Sequence, residues 1–191
     1  MAIVLSAEGI IKVCEGLALY KSLKSMLEKD GREVILTEPF QKTYDRFYQI
    51  RRNAEWRRQY FKWMYEHYKP QPCPSFEETL NVLKRFDKNK SRVEASFASK
   101  LLHTLDDNQP IWDRIVTTRL MQMKEIDKLP PRSSSDYQYC CVKRYETMKQ
   151  WFASEKAKEY VDCFNSVFPN EPISDIKKVD FVLWGLGTSA E

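Results

Sequence analysis

Glycine is almost absent from the middle of this chain, and its absence is the strongest restraint on the fold. The 191 residues contain five glycines, and none lies between Gly31 and Gly185. A sheet with many tight turns needs glycine at positions of positive φ, whereas long helices do not. The nine prolines lie outside the long stretches of helical hydrophobic spacing. The chain is therefore predicted to be all-α.

Hydrophobic residues recur at helical spacing over most of the sequence, and polar or proline-containing breaks separate the stretches. Ser75 and Glu78 form the spacing of a capping box, which marks a helix start. The piece "VILTEPF" at 34–40 is predicted to be a connector or one brief strand. The whole chain, 1–191, is predicted to be one all-α globular domain of seven to nine helices, which could divide into two lobes with a cleft near residues 95–116. Helices are predicted over 1–29, 40–68, 75–86, 92–105, 111–126, 136–154, 156–168 and 174–185.

Composition narrows the classes of function. A net charge of +4 and a pI near 8.7 permit nucleic-acid binding without requiring it. The five cysteines form no CxxC pair and there are only two histidines, so neither a metal site nor a cofactor is expected. No apolar run approaches the roughly 20 residues that span a bilayer, and the first residues lack the basic start of a secretory signal. A cytoplasmic protein with reduced thiols is expected.

One stretch carries a more specific pattern. "SFASKLL" is followed by "PIWDRIVTTRL", which places Lys100 within one helix and Asp113 at the start of the next, with Val116 and Leu120 after it. This pattern resembles the helix-hairpin-helix DNA glycosylase superfamily, in particular its 8-oxoguanine glycosylase-like branch. The resemblance implies an all-α base-excision glycosylase with abasic-site (AP) lyase activity that acts on double-stranded DNA. It also implies that Lys100 is an amine nucleophile and Asp113 its assisting carboxylate.

The same resemblance implies a pocket and a phosphate-binding hairpin. Because such enzymes act on a base removed from the stack, aromatic walls are expected around it, and Phe97, His103 and Trp112 are the candidates. The hairpin would be "DKNKSRVEAS" at 87–96, built around the turn "DKNKS", with backbone N–H groups and basic side chains facing DNA phosphates. Its predicted contact residues are Lys88, Asn89, Lys90 and Arg92.

Other interpretations of the same residues stay open. Lys100 could be a solvated helix-face lysine, and Asp113 could be an ordinary helix N-cap. The aromatic and basic segment 40–68 could bind protein or nucleic acid without catalysis, as in a helical interaction or regulatory module, and a helical protein with no nucleic-acid role also fits the composition. The predicted contact residues of that segment are Arg51, Arg52, Arg57 and Arg58.

Overall fold

The computed structural model describes residues 3–69, 72–86 and 92–187. Every regular element in these ranges is helical, which confirms the predicted all-α class. The described residues form, in chain order, α1 (Ala7–Asp30), a 3-10 helix (Gly31–Leu36), α2 (Glu38–Tyr48), α3 (Ala54–His67), α4 (Phe76–Leu83), α5 (Ala95–Leu105), α6 (Arg114–Gln122), α7 (Tyr137–Phe152), α8 (Glu155–Val167) and α9 (Asp175–Leu186).

Side-chain caps explain where several helices begin. The capping box predicted at α4 is present: Glu78 N donates to Ser75 Oγ at 3.1 Å, and Ser75 N donates to Glu78 Oε2 at 2.8 Å. The predicted separation of two helices near Ser154 is also confirmed, because α7 ends at Phe152 and Ser154 precedes α8. The Ser75–Glu78 pair satisfies backbone groups that have no partner within the helix, and so fixes the start of α4.

The prediction of one continuous helix over 40–68 is wrong. Helix α2 ends at Tyr48, and Gln49 adopts a left-handed conformation with φ of 55° and ψ of 45°. Helix α3 starts afresh after Asn53, whose side chain accepts a hydrogen bond from Trp56 N at 2.9 Å. Between the two helices Ile50 is buried in the core. Burial of Ile50 and the asparagine cap together outweigh the helical spacing of the aromatic residues.

Segment 34–40 is a connector and contains no strand. Residues Gly31–Leu36 form the 3-10 helix, and Pro39 lies in the first turn of α2, where its missing N–H breaks no helical hydrogen bond.

Helix α9 packs against α1, α6 and α8. A Cβ built on Gly9 would lie 2.7 Å from Gly185 O, and one on Gly16 would lie 3.0 Å from Phe181 Cε1. These contacts show that α1 and α9 run antiparallel at very close range. Arg119 of α6 donates to Gly187 O at 2.6 Å and to Leu186 O at 2.8 Å, which fixes α6 to the end of α9.

Candidate functional site

Lys100 is a buried lysine that points across the helical packing to the end of α2. Lys100 is 8% exposed, and its Nζ donates a hydrogen bond to Tyr48 O at 2.9 Å. Tyr48 is the last residue of α2, where unsatisfied carbonyl groups favour a nearby cation. The prediction placed Lys100 on a helix, and the structure adds that the helix buries it.

The surroundings of Lys100 change how readily it loses its proton. Burial lowers the pKa of Lys100, because the charged ammonium is poorly solvated there. Asp113 and Asp180 oppose the shift by raising this pKa, and the positive charge of Lys177 lowers it further. A lysine with a lowered pKa presents more of its neutral amine, which is the nucleophilic form.

Asp113 directly precedes α6, and a hydrogen bond from the backbone of the first turn fixes its side chain. Its Oδ1 accepts a hydrogen bond from Ile115 N at 2.7 Å, so it is the N-cap of that helix. The preceding residue, Trp112, donates its N–H to Ser99 Oγ of α5 at 2.8 Å. Since Ser99 precedes Lys100, this single buried hydrogen bond fixes the two candidate residues relative to each other.

Lys100 and Asp113 line the same cavity. It has a volume of about 810 Å³ and is bounded by α1, the end of α2, α5, the start of α6 and α9. This volume lies in the range of small-molecule sites, roughly 300–1,000 Å³. Its walls include four aromatic side chains: Phe47, Tyr48, Phe181 and Trp184.

A second charged pair, which the sequence analysis missed, lies in the wall of this cavity. Lys177 Nζ is 2.6 Å from Asp180 Oδ2, and both residues are buried. Rings of Tyr20, Phe47 and Phe181 surround the ammonium, with centroids 5.1, 4.8 and 4.4 Å from Nζ. Burial lowers the pKa of Lys177 and raises that of Asp180, while the attraction between them opposes both shifts. A Lys–Asp pair three residues apart is common on helix surfaces, so its spacing gave no signal of burial.

The three residues predicted as pocket walls are not among the residues that line the cavity. The Phe97 ring nevertheless lies close to the proposed nucleophile, with its centroid 5.6 Å from Lys100 Nζ. Phe97 packs on Trp56 with ring centroids 5.0 Å apart. Trp112 stacks parallel to Phe76 with centroids 6.2 Å apart. His103 is 2% exposed, with Nδ1 2.7 Å from Gln109 O.

Most of the predicted basic contact residues in segment 40–68 are already paired with carboxylates. Arg52 forms an ion pair with Glu94 and Arg57 one with Asp45. Arg58 Nη2 lies 2.8 Å from Glu55 Oε1 on the exposed surface. Arg51 is exposed and its Nη2 lies 3.5 Å from Gln49 Oε1. The predicted hairpin residues Lys88, Asn89 and Lys90 lie outside the described residues, and Arg92 is exposed at their edge.

No group of three or more His, Cys, Asp or Glu side chains in the described ranges could hold a metal ion. No helix within those ranges has the length and apolar character needed to span a membrane.

No protein-family model, curated protein or solved structure matches this chain.

Proposed function

We propose that this protein is a DNA base-excision glycosylase with AP lyase activity, in which Lys100 is the amine nucleophile and Asp113 the assisting carboxylate. One observation carries the proposal: two residues on different helices, a buried lysine and a carboxylate, line one aromatic-walled cavity. The proposal also draws on the resemblance of "SFASKLL" and "PIWDRIVTTRL" to the helix-hairpin-helix glycosylases.

The chemistry follows from the two side chains. At an abasic site the open sugar presents an aldehyde at C1′. The neutral amine of Lys100 adds to this carbon, and loss of water with uptake of one proton from solvent leaves a protonated Schiff base between Nζ and the DNA. When a base is still present, it departs with the electrons of the glycosidic bond. The Asp113 carboxylate then stabilises the positive charge that develops on the sugar.

The aromatic walls supply the second requirement of such an enzyme. A base taken out of the duplex loses its stacking neighbours, and aromatic side chains replace them. Phe47, Tyr48, Phe181 and Trp184 surround the cavity and take the role that the sequence analysis gave to Phe97 and Trp112.

Borohydride trapping tests the proposal. The reagent adds hydride to the C=N bond and turns the Schiff base into a stable amine, which migrates as a protein–DNA adduct on a denaturing gel. We expect wild-type protein to form the adduct with a duplex carrying one abasic site. Lys100→Gln should reduce the adduct by at least about 100-fold, because it removes the attacking amine.

Two further variants make the result specific. Lys149→Gln removes a partly exposed lysine of α7 that lies outside the cavity, and it should trap like wild type. Asp113→Asn keeps an oxygen for the N-cap but removes the charge, so release of a damaged base should slow by about 10²–10⁴-fold, the usual scale for such groups. Equal absence of adduct from wild type and Lys100→Gln would refute the lyase, and equal adduct from both would refute the role of Lys100.

A further inference from the structure

The residues that line the cavity include two cations that form no ion pair in the described part of the chain. Lys12 of α1 and Arg46 of α2 both line the cavity, and Arg46 is exposed. Lys12 is half-buried, with Nζ 5.6 Å from the centroid of the Trp184 ring. Neither cation forms an ion pair with any residue in the described part of the chain. Both are therefore available to an external anion.

Arg51 adds a third positive charge next to one of the residues that line the cavity. Its Nη2 lies 3.5 Å from Oε1 of Gln49, and Gln49 also lines the cavity. We call Lys12, Arg46 and Arg51 the cationic rim. Glu15 contributes one negative charge at the same opening, which leaves the rim with an excess of positive charge.

The neighbouring arginines differ in a way that matters for binding. Arg52 and Arg57 are both partly buried and held by Glu94 and Asp45. A phosphate would have to displace those carboxylates before it could bind either guanidinium. At the rim no such exchange is required, because Lys12 and Arg46 have no carboxylate partner among the described residues.

The shape of the site favours a polyanion over an isolated ion. The charged residues that line the cavity are four cations and three carboxylates: Lys12, Arg46, Lys100 and Lys177 against Glu15, Asp113 and Asp180. The excess of positive charge favours an anionic ligand. A nucleotide inserted into the aromatic cavity would leave its flanking phosphates outside, at the level of the rim. We propose that the cationic rim binds the DNA phosphates that flank the nucleotide in the cavity, and that it is the main electrostatic contact surface. This inference rests on the proposed function, because it takes DNA as the ligand.

The salt dependence of binding tests the rim directly. The probe is a fluorescein-labelled, undamaged 24-base-pair duplex, with the dissociation constant measured by anisotropy between about 50 and 200 mM salt. Each phosphate contact contributes about 0.9 to the slope of log affinity against log salt. The double variant Lys12→Gln/Arg46→Gln should therefore lower the slope by about 2 and weaken binding at low salt.

A matched pair of cations at the end of α4 serves as the control. Lys84 is half-buried and Arg85 exposed, as Lys12 and Arg46 are, and neither lines the cavity. Lys84→Gln/Arg85→Gln makes the same change in net charge and should leave the slope within about 0.5 of the wild-type value. Thermal melting followed by circular dichroism verifies that both double variants are folded.

The outcomes separate this inference from the proposed function. An unchanged slope for Lys12→Gln/Arg46→Gln, or an equal loss for Lys84→Gln/Arg85→Gln, overturns the rim as the main contact surface. Wild-type protein that shows the predicted rim dependence but forms no trapped adduct refutes the lyase and keeps the rim. A trapped adduct without rim dependence refutes the rim and keeps the lyase.

Discussion

Lys100 and Asp113 each have a structural task as well as the proposed chemical one. Lys100 donates to the end of α2, and Asp113 caps the start of α6. Replacement of an N-cap aspartate by alanine lowers stability by roughly 0.5–2 kcal/mol. Asparagine keeps an oxygen that can accept the Ile115 N–H, so Asp113→Asn separates the charge from the cap.

Burial keeps the His103 side chain uncharged at neutral pH. Its ring Nδ1 lies 2.7 Å from Gln109 O, and its Nε2 is buried with no hydrogen-bond partner in the described structure. Burial lowers the pKa of His103 to about 3, and the charge of Lys177 acts in the same direction. His103 therefore contributes to packing near the cavity and adds no positive charge there at neutral pH.

This burial predicts a specific dependence of stability on pH. The unfolded chain binds a proton at His103 below a pH of about 6.5, whereas the folded chain does so only near 3. Stability contributed by neutral His103 is present above about pH 6.5 and is lost as pH falls towards 3, by up to about 1.4 kcal/mol per pH unit.

In His103→Gln the titrating group is absent. The difference in free energy of urea unfolding between wild type and His103→Gln should therefore fall by about 2 kcal/mol from pH 7 to pH 5. An equal difference at the two pH values would mean that folded His103 protonates freely.

At the level of elements, the α1–α9 contact depends on glycine. Gly9 and Gly185 let the two backbones approach so closely that a Cβ on Gly9 would lie 2.7 Å from Gly185 O. That contact is with backbone, which cannot move aside as a side chain can. The same helix pair supplies Lys12, Lys177 and Asp180 to the cavity, so its spacing also sets the shape of the site.

Gly9→Ala should therefore destabilise the protein despite the better helix propensity of alanine. We expect a loss of about 1–3 kcal/mol, the usual range for overpacking, measured as the free energy of unfolding. Gly16→Ala is the matched control on α1, because its Cβ would meet side-chain ring atoms and no backbone: Phe181 Cε1 at 3.0 Å and Trp184 Cζ3 at 3.4 Å. It should cost less, since a ring edge can shift by a few tenths of an ångström. A Gly9→Ala protein at least as stable as wild type would contradict the close crossing.

Helix boundaries were predicted correctly where neighbouring residues in the sequence mark them. Ser75 with Glu78 and the polar break at Ser154 are read from neighbouring residues, and both are present in the structure. The end of α2 has no such signal, because Gln49 takes a left-handed conformation that its sequence does not favour. The break there arises from tertiary packing of Ile50 in the core.

Over the whole molecule, the sequence pattern selected two residues that line one cavity, Lys100 and Asp113, but did not indicate the other residues around them. Lys100 and Asp113 belong to one local pattern, whereas Lys12, Arg46 and Asp180 come from distant helices. The pairing of Arg52 with Glu94 and of Arg57 with Asp45 depends equally on tertiary contact. Most of the predicted basic contact residues of segment 40–68 are therefore neutralised by carboxylates. Lys12 and Arg46, which line the cavity, form no ion pair within the described residues.

The proposed function depends above all on the reaction of the Lys100 amine with the sugar of DNA. The most direct measurement is to reduce the complex of wild-type protein and abasic duplex with borohydride, digest it with trypsin and nuclease, and locate the sugar remnant by tandem mass spectrometry. We expect the remnant on Nζ of Lys100. A remnant on another lysine or on the terminal amine would contradict it.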